Sequence, residues 1–115
     1  MGPSLPMLVL VVREAGLRST LIARLSMAGA DLVTIDNIDD PRVQRWLDKG
    51  PVLIIDENAL AGRPGGEAGL RAEPRWRAVT VIGDGGQPGG SGRISRADAA
   101  AAIEAMLPDW GYPER

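Results

Sequence analysis

The chain has 115 residues, enough for one domain with a core that needs no disulfide or structural metal. Its 13 basic and 15 acidic residues leave a formal charge of -2, which gives no electrostatic case for nucleic acid or an anionic membrane surface. Cysteine and histidine are both absent, which removes thiolate nucleophiles, zinc-thiolate sites and the commonest general base, so any metal has to be a hard ion such as Mg²⁺ or Ca²⁺ held by oxygen.

The opening "MGPSLP" has no basic segment, and the apolar run Met7 to Val12 is too short for a signal-peptide core or a membrane span, so a cytoplasmic location away from membranes is expected. That run, "MLVLVV", is continuously apolar and predicts a first strand buried on both faces. From Glu14 the period becomes helical through Leu17, Leu21, Leu25 and Ala28, with Gly29 as the stop. "ADLVTID" predicts a second strand over Ala30 to Asp36. A helix follows, capped by Asp39 or Asp40, with Pro41 in its first turn and Val43, Trp46 and Leu47 on one core-facing side.

Beyond Gly50, "PVLIIDENALAG" gives a third strand with no polar residue from Val52 to Ile55, and Asp56 is the first group able to reach solvent. "NALAGRPGG" loosens the chain, "EAGLRAE" permits about two helical turns, Pro74 breaks them, and Ala78 to Ile82 predict a fourth strand. "EPRWR" around Trp76 is expected to be a solvated approach to that strand. Glycine holds six of the ten positions from Gly83 to Gly92, which cannot sustain a helix and is read as a mobile loop. It matches neither dinucleotide-binding nor P-loop spacing, and its Asp84 repels phosphate. "RIS" offers a short fifth strand, and "RADAAAAIEAML" a last helix with Ala99, Ile103, Met106 and Leu107 on one side. The tail "PDWGYPER" reads as irregular, with Trp110 and Tyr112 free to dock on the body or on a second subunit.

Strands alternating with helices call for a parallel sheet. A (βα)₅ order at this length suits a flavodoxin-like three-layer sandwich with five strands ordered 2-1-3-4-5, whose site lies where the carboxyl ends of strands 1 and 3 meet. Those ends are Arg13-Glu14 and Asp56. Over roughly residues 7–107, with 108–115 as a tail, the chain resembles the receiver domain of bacterial two-component response regulators. "MLVLVVREAGLRSTLIARLSMAGADLVTI" is similar to that family's first strand, helix and second strand, and "PVLIIDENALAG" to the strand that presents its phosphoacceptor.

The resemblance implies a phosphorelay chemistry in which two acidic residues hold Mg²⁺, an aspartate accepts phosphate, a Ser or Thr senses it and a Lys contacts it. Asp56 takes the acceptor position and Glu14 the second acidic one, which makes Glu14 and Asp56 the metal candidates. Arg13 replaces the first acid, Gly83 the hydroxyl residue, and Ser95 or Arg96 the lysine. The family's fourth helix is expected to be missing or replaced by the glycine loop.

These departures define a degenerate, or pseudo-, receiver: a stand-alone domain acting through protein-protein contact, not an enzyme, with phosphorylation impaired or lost and Mg²⁺ relevant only if it is retained. A histidine kinase or other signalling protein is the implied partner, with a homodimer through Ile103, Met106, Trp110 and Tyr112. Two alternatives stand beside it: a working phosphoreceiver that uses Asp56, and a small-ligand or nucleotide sensor. Asp56 also has a plainer reading, as a strand-end residue that binds nearby backbone N–H groups or pairs with Arg13 or Arg96.

Overall fold

The computed structural model describes residues 5–61, 63, 65–83 and 94–112, apart from the side chains of 47–49. Four parallel strands, β1 (Leu8–Val11), β2 (Leu32–Thr34), β3 (Val52–Asp56) and β4 (Ala78–Ile82), form a sheet in the order β2-β1-β3-β4. Leu8 stands opposite both Leu32 and Val52, and Val52 opposite Ala78, so the strands begin level with one another. Parallel neighbours need crossovers. α1 (Ala15–Met27), a 3₁₀ helix (Pro41–Lys49), and α2 (Glu57–Leu60) with α3 (Gly66–Ala72) supply them. α4 (Ala99–Met106) runs into a 3₁₀ turn, Leu107–Trp110, which closes the described chain.

Strand alternation sorts the core into two layers. Leu8, Leu10, Val52 and Ile54 face α1 and α4, where they meet Leu17, Leu21, Leu25 and Ile103. Val9, Val11, Leu53 and Ile55 face the other way, onto Val43, Leu60, Leu70 and Trp76. The continuous apolar runs are therefore buried on both sides, as a parallel sheet between helices requires. The result is an α/β sandwich whose strand order is compatible with a flavodoxin-like arrangement.

Several sequence expectations change. Among the described residues the fifth strand amounts to one parallel bridge, Ile82 to Ile94, closed by Gly83 N–H to the Ile94 carbonyl and Ile94 N–H to the Val81 carbonyl, both at 2.9 Å. Pairing stops there because Ser95 begins a turn with Asp98. The glycine loop expected over Gly83 to Gly92 in place of the fourth helix lies, beyond Gly83, outside the described residues. The helix after β2 is 3₁₀ rather than α. Val43 and Trp46, three residues apart, suit either form, and Trp46 packs partly buried on the second layer as expected.

The tail expected to be irregular belongs to the core as far as Tyr112. Trp110 is 7% exposed and Tyr112 3%. The Tyr112 hydroxyl donates to the Pro6 carbonyl at 2.6 Å and accepts from Asp31 N–H at 3.1 Å, and Arg77 donates to the Trp110 carbonyl at 3.2 Å. Docking on the body is thus the arrangement found. Trp76, expected on a solvated approach, is buried, with the Arg75 guanidinium 4.8 Å over its ring.

Candidate functional site at the carboxyl edge of the sheet

β3 ends on Asp56, and β1 delivers Arg13 and Glu14 beside it, so the carboxyl ends of the first and third strands meet at the residues expected there. Asp56 is 0% exposed. Its Oδ2 accepts from the N–H of Arg13 at 2.8 Å and of Glu14 at 3.2 Å, and its Oδ1 accepts from Ala59 N–H at 2.9 Å. The last bond makes Asp56 the N-cap of α2, and the first two tie it to the entry of α1. A buried carboxylate is tolerated where N–H donors and helix amino ends meet its charge. Here all three donors are backbone groups.

The crevice cations go elsewhere. Arg96 Nη2 lies 3.2 Å from Glu57 Oε1, and its Nε 3.4 Å from Glu14 Oε2, so one guanidinium spans the acids that follow β1 and β3. Neutralisation of Asp56 by Arg13 or Arg96, one of the two plainer readings of that residue, is therefore not what the fold builds. Backbone bonding, the other, is. Glu57 was not singled out by sequence reasoning, although its signal was available: an acid next to Asp56 with a glycine opposite.

That glycine is Gly83. A Cβ placed there would stand 2.6 Å from Glu57 Cδ and 2.9 Å from Glu57 Cβ. The position at the end of β4 is thus kept open for the Glu57 side chain. Ser95 does not reach the crevice; its hydroxyl donates to Asp98 Oδ2 at 3.0 Å and accepts from Asp98 N–H at 3.3 Å.

No family model, no curated protein and no solved structure matches the chain. The chemistry of the site therefore has to be argued from these contacts.

Mg²⁺ needs carboxylate oxygens with free lone pairs in near-octahedral array. Asp56 has both oxygens on N–H donors and none facing solvent, Glu14 is held by Arg96, and Arg13 brings a positive charge. As arranged, the donors do not fit the metal. Among the described residues no three acidic side chains converge on one point.

The remaining expected site residues lie away from the crevice. Ile103, Trp110 and Tyr112, expected at an interface, are buried in the chain's own core, at 0%, 7% and 3% exposure, and Met106 is packed partly buried against it. Among the described residues no helix is long and apolar enough to cross a membrane.

Beside the crevice, on the β2 side, the loop from Asp36 to Asp39 borders a cleft of about 190 Å³. Asp40 holds Arg42 at 2.8 Å, and that side-chain bond keeps the Asp40 carboxyl below its ordinary pKa. The cleft went unnoticed in the sequence because its residues are scattered over two strands, α2 and the loops between them.

Proposed function

We propose that this chain is a receiver-like signalling domain of two-component type that acts through protein-protein contact, with Asp56 kept as a structural carboxylate and not used as a phosphoacceptor. The observation that carries this reading is the complete burial of Asp56 with three backbone N–H bonds on its two oxygens. Phosphoryl transfer to a carboxylate needs an oxygen free to attack in line and a cation to gather the phosphoryl charge. Reaching that state here means breaking the cap of α2 and the tie to α1. The Arg96 bridge between Glu14 and Glu57 ties together, from within the chain, the acids that follow β1 and β3. Such a domain needs no phosphate to hold its loops in one arrangement.

On this reading the partner is a histidine kinase or another signalling protein in the cytoplasm, and the domain is not an enzyme. Self-association is part of the proposal. Its support is Met27, 77% exposed on the outer side of α1 beside Ala23 and close to Glu104 of α4. A strictly monomeric mass in light scattering would remove that part.

The test of the main claim is incubation with acetyl phosphate and Mg²⁺ followed by intact mass. No stable phosphate increment is expected. An increment that peptide mapping assigns to Asp56, and that Asp56→Asn abolishes, would establish a working phosphoreceiver instead.

A further inference from the structure

The cleft beside the crevice has a floor of Val11, the last residue of β1, and Ile55, the last but one of β3, and a rim that carries Arg13, Asp36, Asn37, Asp39 and Arg63. It lies outside the carboxyl ends of the strands, where open α/β sheets hold ligands. Its volume of about 190 Å³ is below the roughly 300–1,000 Å³ of pockets for drug-sized molecules and suits a ligand smaller than a nucleotide.

The charges on the rim are not equivalent. Arg63 is engaged by Asp39 at 3.3 Å and Glu73 at 3.4 Å, and Asn37 Oδ1 accepts Asp39 N–H at 2.9 Å. Among the described residues, the Arg13 guanidinium and the Asp36 carboxylate make no hydrogen bond or ion pair. One unpaired cation and one carboxylate that makes no ion pair, though it lies within electrostatic reach of Arg42, thus border the same small space over an apolar floor. A plain anion would satisfy Arg13 and meet repulsion from Asp36; a plain cation would face the reverse.

The geometry points to a binding site for a small zwitterion of amino-acid size, with its carboxylate on the Arg13 guanidinium and its ammonium on Asp36. A planar guanidinium takes a carboxylate through two parallel N–H bonds, which fixes orientation as well as charge. Arg13 also holds Asp56 through its backbone N–H at 2.8 Å, so occupancy of the cleft bears on the crevice through one residue. The site stands whether or not Asp56 is phosphorylated.

The experiment is titration of the isotope-labelled full chain with the standard amino acids singly, and with acetate and methylamine as half-ligands, reading amide shifts. At least one amino acid is expected to saturate shifts centred on residues 11–13, 36–39 and 55–63. Loss of a charge-assisted contact corresponds to about ten- to a hundredfold weaker binding in Arg13→Gln and in Asp36→Asn, and for each half-ligand. Both side chains are exposed, and Arg13→Gln retains the backbone N–H that Asp56 needs. The inference is overturned if no amino acid saturates the shifts, if acetate binds as tightly as the best amino acid, or if either variant keeps the wild-type affinity.

Discussion

Asp56 anchors two loops at once, and its substitution separates structural from chemical roles. Asp56→Ala leaves three backbone N–H groups without their acceptor and is expected to destabilise the fold by about 2–4 kcal/mol in urea unfolding. Asp56→Asn, which keeps one acceptor oxygen, should fall between that variant and the wild type. Gly83 poses the complementary case. Gly83→Ala drives a Cβ into the Glu57 side chain and should lose about 1–3 kcal/mol, whereas in a Glu57→Ala background the same change should be nearly neutral. A double-mutant cycle reads this coupling directly; equal losses in both backgrounds would show that the glycine is needed for another reason. The place of Asp56 at the end of β3 was legible from the apolar run before it. Its donors were not, because Arg13 and Glu14 lie 43 and 42 residues away and offer backbone groups, which leave no mark on residue type.

Among the elements, those with a long period were legible and those without one were not. β4 covers the expected Ala78–Ile82, and α1 buries Leu17, Leu21 and Leu25 as its spacing predicts. α2 spans four residues, too few to show a period, and exists because Asp56 caps it. Among the described residues the fifth strand amounts to one bridge, because a turn follows Ile94 at once. Two of the contacts that hold α1 against the body should differ in weight. Leu21→Ala, at 0% exposure, is expected to lose about 3–5 kcal/mol. Arg24→Ala removes only the half-exposed pair with Glu104 at 3.3 Å and should lose less than about 1 kcal/mol. Chemical denaturation of both variants checks the ranking, and a larger loss for Arg24→Ala would mean the helix is held by charge.

At the scale of the whole molecule, Tyr112 joins the two ends of the described chain. It was missed because a lone aromatic after a helix has no local pattern, and its partners, Pro6 and Asp31, are 106 and 81 residues away. Burial pushes its phenol above the ordinary value of 10.0. The unfolded phenol therefore ionises first as pH rises, so this contribution is whole below about pH 10 and is lost as pH climbs through the folded pKa. Tyr112→Phe should lose about 1–3 kcal/mol at neutral pH and flatten the alkaline limb of stability. Tyr112 is the sole tyrosine, so tyrosinate absorbance follows it without overlap from another phenol. The same bond has a practical meaning for tethering. Pro6 and Tyr112 meet just before β1 begins, while Arg13, Asp56 and Arg96 gather beyond its far end, about 13 Å away along a four-residue strand. A fluorescent protein or surface anchor joined directly at Pro6 or Tyr112 would leave from the end of the sheet opposite the crevice, with the crevice and its neighbouring cleft open to whatever binds there.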